Sequence, residues 1–321
     1  MSTNSRIKVG PLKQNELQEA ERIVRMAFGT FLGLPDPMNF MGDRSFVASR
    51  WRSPDTKILA ARDGGRLIGS NVAIRWGSFG FFGPLTVLPE YWDAGVAQRL
   101  LEATMGIFDK WRLRHTGLFT FPHSAKHVGL YQKFGYWPQF LTAVMLRTPE
   151  PKPMQQGERS GALMLLSTLS RSQRDDAVVA CSKLTDKIDK GLDLSGEIRA
   201  VLKHRMGDIP LIYTRGVLDG FALCQTGAGS EGGAKTCYVK FGAARPGAGA
   251  ADRFGRLLDA CDAFAISRGT SIEAGVNLAR ADAFRRMRAH GYRTMMQGVA
   301  MQRPNETGFN RPDAFVMDDW R

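Results

Sequence analysis

Two short stretches of this chain combine residue types that chemistry can use. The first runs through Trp92, Asp93, Ala94, Gly95, Val96 and Ala97, after a strand-like run that includes Val87, and it opens a segment of helical periodicity. A loop turning into a helix N-terminus points several main-chain N–H groups outward with the helix dipole behind them, which suits a pyrophosphate. Gly95 and Ala97 leave room for phosphate oxygens to reach the backbone. The plainer reading of the same stretch is a strand–helix turn packed with small residues. The second stretch holds His123, Ser124, His127 and Tyr131. Ser124 stands where a helix N-cap belongs. His123 and His127 could meet phosphates, relay protons or be merely structural. Tyr131 lies on an apolar helix face with Leu130 and Phe134, and taken alone it reads as a core aromatic.

Both stretches need elements to hold them. Asp63-Gly64-Gly65 is a hairpin signal between strands at Ile58–Arg62 and Leu67–Trp76, and a further strand, Phe79–Leu88, leads into the small-residue turn. From Gly95 to Arg112, the residues Val96, Leu100, Leu101, Thr104, Ile107, Phe108 and Trp111 mark one face of a helix. A strand at Gly117–Phe121, a helix at Ala125–Phe134 and a strand around Leu141–Leu146 follow. Upstream, a short strand Arg6–Val9 precedes a helix with Leu17, Ala20, Ile23, Val24, Ala27 and Phe28 on one face, for which Asn15 is the expected N-cap. The loop Gly33–Gly42 then leads to a short helix over Arg44–Trp51.

Thr148–Gly161, with its prolines and glycines, reads as a linker. Beyond it the order repeats. Strands are expected near Leu163–Ser167 and at Leu211–Tyr213, Val217–Cys224 and Thr236–Ala243, with helices within Gln173–Lys203. A helix Ala251–Ser267, a strand Ser271–Val276, a helix Ala281–His290 and a strand Met295–Met301 complete the second half. The fold expected is α/β, an internal repeat of about 150 residues: residues 1–150, a linker 151–160 and residues 161–321.

A chain of 321 residues with 43% hydrophobic content exceeds one compact domain. No apolar stretch is long enough to cross a bilayer, and the sequence MSTNSRIKVG lacks a signal core, so a cytoplasmic protein without a membrane partner is expected. The four cysteines match no zinc or CxxC spacing, so no metal is expected. A formal charge of +13 attracts polyanions. Lys and Arg are scattered, however, without a dense run or a basic–aromatic repeat. A phosphate-rich cosubstrate explains the charge as well as nucleic acid does, and nucleic acid is not the favoured partner.

The stretch Gly83-Pro84-Leu85-Thr86-Val87-Leu88-Pro89-Glu90-Tyr91-Trp92-Asp93-Ala94-Gly95-Val96-Ala97-Gln98-Arg99-Leu100-Leu101 resembles the central motif of GNAT acyltransferases, a strand followed by a phosphate loop that opens a helix. Leu130-Tyr131-Gln132-Lys133-Phe134-Gly135-Tyr136 resembles that family's second motif, at family-like separation. The resemblance implies two GNAT-like mixed α/β domains, each a twisted central sheet flanked by helices. It also implies N-acyl transfer from acetyl-CoA to an amine acceptor, a small molecule or a peptide. By resemblance, Trp92 to Ala97 would cradle the CoA pyrophosphate, strand residues near Val87 would pair with the pantetheine arm, and Ser124 would touch that arm. Tyr131 would protonate the departing thiolate, and a main-chain N–H near Val87 would meet the oxyanion. The loop Gly33–Gly42, with Phe31 and Phe40 beside it, falls where the family binds its acceptor. Trp92 and Asp93 depart from the family pattern, which has Arg or Gln at the first loop position. Asp93 is expected to cap the helix, with Arg99 as the compensating cation.

The second half reads as a weaker twin. Counting from Leu257-Leu258 sets Asp252 against Gly95, and aligning Gly135-Tyr136 with Gly291-Tyr292 sets Met287 against Tyr131. Pro246-Gly247-Ala248-Gly249 reads as a plain turn, and the second half as a scaffold. The tail Phe315–Arg321 is expected to be solvated or loosely packed. Competing functions are a non-catalytic acyl-CoA-binding or sensing module and a basic nucleic-acid-associated protein. The sequence names neither the acceptor nor the general base nor the oligomeric state.

Overall fold

The computed structural model describes residues 6–150 and 164–321. The linker expected at 151–160 lies outside the described residues. The first half contains β1 (Ile7–Pro11), α1 (Leu17–Phe31), α2 (Val47–Trp51), β2 (Thr56–Asp63), β3 (Arg66–Trp76), β4 (Phe79–Phe82), β5 (Thr86–Val87), α3 (Val96–Trp111), β6 (His115–Thr120), α4 (Ala125–Gln132) and β7 (Trp137–Arg147). The second half contains β8 (Met164–Leu165), α5 (Arg171–Ile188), α6 (Ser195–Lys203), β9 (Gly207–Asp208), β10 (Pro210–Thr214), β11 (Val217–Gly227), β12 (Gly233–Ala244), α7 (Ala250–Arg268), β13 (Ser271–Asn277), α8 (Ala281–Ala289), β14 (Arg293–Arg303) and β15 (Val316–Met317).

The apolar periodicities do what their spacing dictates. α1 buries Ala20, Ile23, Val24 and Ala27, and α3 buries Val96, Leu100, Leu101, Thr104 and Phe108. Asn15 does not cap α1. It sits inside a 3-10 turn, Gln14–Glu16, where the Glu16 carboxylate accepts from Lys13 N–H at 2.7 Å. The strand expected from Phe79 to Leu88 is interrupted between Phe82 and Thr86, because Pro84 has no N–H to donate to a ladder.

Two mixed α/β halves, each a sheet flanked by helices, are present, but their sheets merge. The strand order is β1-β2-β3-β4-β6-β14-β7-β13-β12-β11-β10-β8, with β5 on β3, β9 on β11 and β15 on β12. Each half gives its last long strand to the other: β14 lies between β6 and β7, and β7 lies between β14 and β13. The two meet antiparallel, from Arg293 opposite Leu146 to Gln302 opposite Trp137. The halves also share one apolar core, in which the Trp76 ring stands 4.7 Å from Phe81 and 5.6 Å from Phe241. Ladder hydrogen bonds and apolar burial therefore both run across the repeat boundary. The tail is not loose. Val316–Trp320 is buried, because β15 pairs with β12 and Trp320 packs 4.8 Å from the Phe79 ring.

Candidate active site

The site begins where two strands part. β4 runs parallel to β6 with Phe79, Gly80 and Phe81 opposite His115, Thr116 and Gly117. Past this point the chain breaks at Gly83-Pro84 and re-forms as β5 on β3 alone, with Ser70 opposite Thr86 and Gly69 opposite Val87. β6 stays on β14 at its other edge throughout, from Thr116 opposite Arg303 to Thr120 opposite Val299, so beyond Gly117 its near edge has no β4 partner. A fork therefore opens between β5 and β6. Leu88 N–H donates to the Ile68 carbonyl at 2.9 Å, so the alternation of an antiparallel ladder turns the N–H and C=O of Val87 away from β3, toward the fork.

One cleft of about 720 Å³ occupies this opening. Val87, Trp92, Asp93, Gly95, Val96, Ala97, Ser124 and Tyr131 all line it. Ala94 does not; it packs inward against the core. Gly95 is the N-cap of α3, with φ 74° and ψ 6°, and a Cβ there would meet no atom within 4 Å. The left-handed backbone rather than crowding makes glycine the fitting residue. No side chain caps α3, so its first N–H groups remain available to an anion at the loop.

The two departures in the loop have physical accounts. Trp92 donates its indole N–H to the Val87 carbonyl at 2.8 Å and so ties the loop to the forked strand. Asp93 does not cap the helix. Its backbone is left-handed (φ 65°), a conformation Asp tolerates, and its carboxylate lies 2.5 Å from Lys126 Nζ. Arg99 donates to the main-chain carbonyl of Ile7 at 2.8 Å. Lys126, on the first turn of α4, places a cation in the wall of the cleft beside Asp93. Its sequence signal was only its place two residues after Ser124.

Ser124 caps α4, accepting from His127 N–H at 3.4 Å. His127 lines the cleft, and burial, together with the neighbouring Lys126 and His123, holds its pKa below the ordinary imidazole value. Phe28 and Phe31 form the opposite wall; Phe31 lies 5.0 Å from the His127 ring, and Phe28 stacks on Phe40 at 5.3 Å. Tyr131 is 8% exposed, its ring 5.7 Å from Phe82. Burial pushes its phenol up to about 12, opposed by a hydrogen bond with Thr120. At neutral pH it is a proton donor, not an acceptor.

The second half has the same skeleton with its parts filled. β12 runs parallel to β13 from Thr236 opposite Ser271 to Val239 opposite Ala274. It then leaves, and β15 takes the vacated edge, with Met317 opposite Gly242 and Val316 opposite Ala243. Gly249, not Asp252, is the counterpart of Gly95: it is the N-cap of α7 at φ 76° and ψ 10°. Arg253 reaches back from that helix to the carbonyls of Arg245, Pro246 and Gly247 at 3.0, 3.3 and 3.2 Å. Met287 occupies the place of Tyr131, for Tyr292 N–H bonds Met287 O at 3.0 Å as Tyr136 N–H bonds Tyr131 O at 3.2 Å. Among the described residues no helix is long and apolar enough to cross a membrane, and no group of His, Cys, Asp and Glu could hold a metal ion. All four cysteines are buried and free.

Comparison with curated proteins gives no match. Among solved structures, a candidate acetyltransferase from Pyrococcus horikoshii superposes with a TM-score of 0.68 at 14% identity, covering 97% of this chain and 93% of its own. A GCN5-related N-acetyltransferase from Sphaerobacter thermophilus gives 0.57 at 14% identity, covering 93% and 95%. The glucosamine N-acetyltransferase region of a fungal multi-domain β-N-acetylglucosaminidase gives 0.62 at 13% identity, covering 92% of this chain and 38% of that one. At these identities the likeness is one of fold. The family model "Acetyltransferase (GNAT) family" matches residues 27–136, the span from the end of α1 to Tyr136 that holds the whole cleft. Residues 27–136 therefore match the GNAT acetyltransferase family, within a chain whose two α/β halves share the fold of these solved structures.

Proposed function

We propose that the first half transfers an acetyl group from acetyl-CoA to the amine of a small-molecule or peptide acceptor, by direct attack on the thioester. The observation that carries this reading is the meeting of three devices in one cleft: an uncapped helix start at Gly95, a forked strand at Val87 and a buried, protonated phenol at Tyr131. In this reading residues 1–150 do the chemistry, 151–160 link, and 161–321 are the scaffold.

The main-chain N–H groups of Gly95, Val96 and Ala97 hold the pyrophosphate at the loop that Trp92 and Asp93 shape, with Lys126 beside them, and Ser124 stands near the pantetheine arm. The neutral amine attacks the thioester carbonyl, forming the C–N bond, and the oxygen that gains charge is met by the N–H of Val87. When the C–S bond breaks, Tyr131 gives its proton to the departing thiolate, and solvent restores it. The attacking nitrogen loses its extra proton to water. Phe28 and Phe31 shield the acceptor side. The free buried thiols fit a reducing cytoplasm.

The test is calorimetric titration with acetyl-CoA, alongside Gly95→Glu, which puts a carboxylate at the loop. The expected result is binding that the variant loses, followed by turnover in an amine screen. Binding retained by Gly95→Glu would move the cofactor site out of the first half. Binding without turnover of any amine would leave a CoA-binding module, and no binding would end the acetyl-transfer reading.

A further inference from the structure

Beyond the cleft, the least exposed charged side chain of the first half is Arg50, at the end of α2 and 1% exposed. Its Nη1 donates to the carbonyl of Gly83 at 2.5 Å, and Gly83 is the first residue past β4, where the fork opens. Its Nη2 meets the Glu231 carboxylate at 2.5 Å and the main-chain oxygen of Arg321. Glu231 is held in turn by Lys240 of β12 at 2.7 Å. The segment after β15 is equally fixed. Asp319 accepts from the Tyr238 hydroxyl at 2.7 Å, and Arg321 reaches Glu273 at 2.6 Å, which also binds Arg44 at 2.8 Å.

Glycines make the path for this segment. A Cβ on Gly242 would stand 2.6 Å from Met317, one on Gly275 2.3 Å from Asp319, and one on Gly117 2.7 Å from Trp320. Gly117 pairs with Phe81 at the last step before the fork. The tail therefore leaves the second half's fork and ends against the first half's, where Arg50 joins it to the strand that carries Val87.

We propose that Arg50, braced by Glu231 and by Trp320-Arg321 of the tail, is a positioning residue for acyl transfer: by holding the Gly83 carbonyl it fixes where the chain leaves β6 after β4, and so where β5 places the Val87 N–H. This rests on the acyl-transfer reading of the cleft. A buried guanidinium with three acceptors fixes a strand more rigidly than apolar contact, because each bond has a direction. Misplacing a donor by about 1 Å can cost about a hundredfold in rate.

The test compares Arg50→Lys with Trp76→Phe, a truncation of a core ring packed on Phe79, Phe81 and Phe241. In Arg50→Lys, amide hydrogen exchange at Leu85–Leu88 is expected to quicken at least about tenfold beyond the change in β2 and α3, since exchange reports local opening. The kcat should fall roughly 10- to 100-fold, well beyond a rise of about fivefold at most in the Kd for acetyl-CoA through the Trp92–Val87 tie. Trp76→Phe should lower stability without either signature. Exchange at Leu85–Leu88 that rises only in step with global stability would overturn the proposal, and so would unchanged kcat in the folded variant. Should the wild type transfer no acetyl group, the functional reading fails separately and the exchange comparison alone decides.

Discussion

Replacing Tyr131 by Phe removes one oxygen from the cleft and little else. The ring is buried with Phe82 at 5.7 Å, and Phe preserves that packing. The lost bond with Thr120 should cost about 1 kcal/mol of stability, the net worth of a neutral hydrogen bond. The catalytic loss should be larger. A general acid contributes about 10²–10⁴ in rate, or roughly 3–5 kcal/mol at about 1.4 kcal/mol per decade. Acetyl-CoA binding should change little, because Phe keeps the ring in the cleft wall and leaves every residue of the loop in place. The pH profile carries the sharper claim. With the phenol pushed up to about 12, its ionisation cannot shape activity between pH 6 and about 10, so any basic limb there belongs to another group, and Tyr131→Phe should lower the profile without changing its form. Steady-state kinetics against an accepted amine, with calorimetry for acetyl-CoA, measures both. A kcat within about threefold of wild type would refute the assignment of Tyr131 as the acid, whereas a basic limb near pH 9 that disappears in the variant would keep that role and refute the raised pKa.

Trp92→Phe should keep the hydrophobic contact and lose the 2.8 Å bond to Val87, weakening acetyl-CoA binding about fivefold, the equivalent of about 1 kcal/mol. Calorimetry reads the change, and stronger binding would contradict the tie between loop and strand. Lys126→Ala breaks an exposed pair with Asp93, so thermal stability should move by less than about 0.5 kcal/mol. Acetyl-CoA affinity should nonetheless fall several-fold at low salt, and less at high salt, if Lys126 faces the phosphates. Glu231 and Glu273 are both desolvated, yet Arg50 with Lys240, and Arg321 with Arg44, hold their carboxyls down at about 2. Folded pKa values below the unfolded value near 4.5 mean that their stabilisation is complete above about pH 5 and is lost as pH falls toward 2. Denaturation titrations should show this slope, and Glu273→Gln should flatten part of it.

The sequence carried most of the first half's cleft. The periodicity of α3, the hairpin Asp63-Gly64-Gly65 and the Leu130-to-Tyr136 run are local signals, and local signals fix local elements. The lining of the cleft by Val87, Gly95, Ser124 and Tyr131 follows from where those elements end. What escaped is non-local. Nothing in the composition of β14 says that it pairs with β6 and β7 rather than returning to its own half, because both choices bury the same apolar residues. Asp93 looked like a cap because Asp often is one; the left-handed turn takes it past the helix start to Lys126. Asp252 was set against Gly95 by leucine counting, but the glycine that caps α7 is Gly249, and helix starts are better aligned on backbone handedness than on apolar pairs. The tail reads as loose because terminal segments usually are, and only the arrangement of Arg280, Tyr238 and Arg321 shows how Asp318 and Asp319 are buried.

The crossed ending of the two halves has a consequence for how the chain reaches this state. β6 and β7 are complete by Arg147, yet the strand between them runs from Arg293 to Arg303. During synthesis, the earlier half must wait with a gap in its sheet until Arg303 has emerged, more than 150 residues after β7 ends at Arg147. Contacts of such long sequence separation make folding slow, and exposed strand edges invite wrong pairing in the interval. A ribosome-bound or excised 1–150 fragment should therefore be sticky and unfinished, and the acquisition of ligand affinity should be a late, all-at-once event coupled to the arrival of β14.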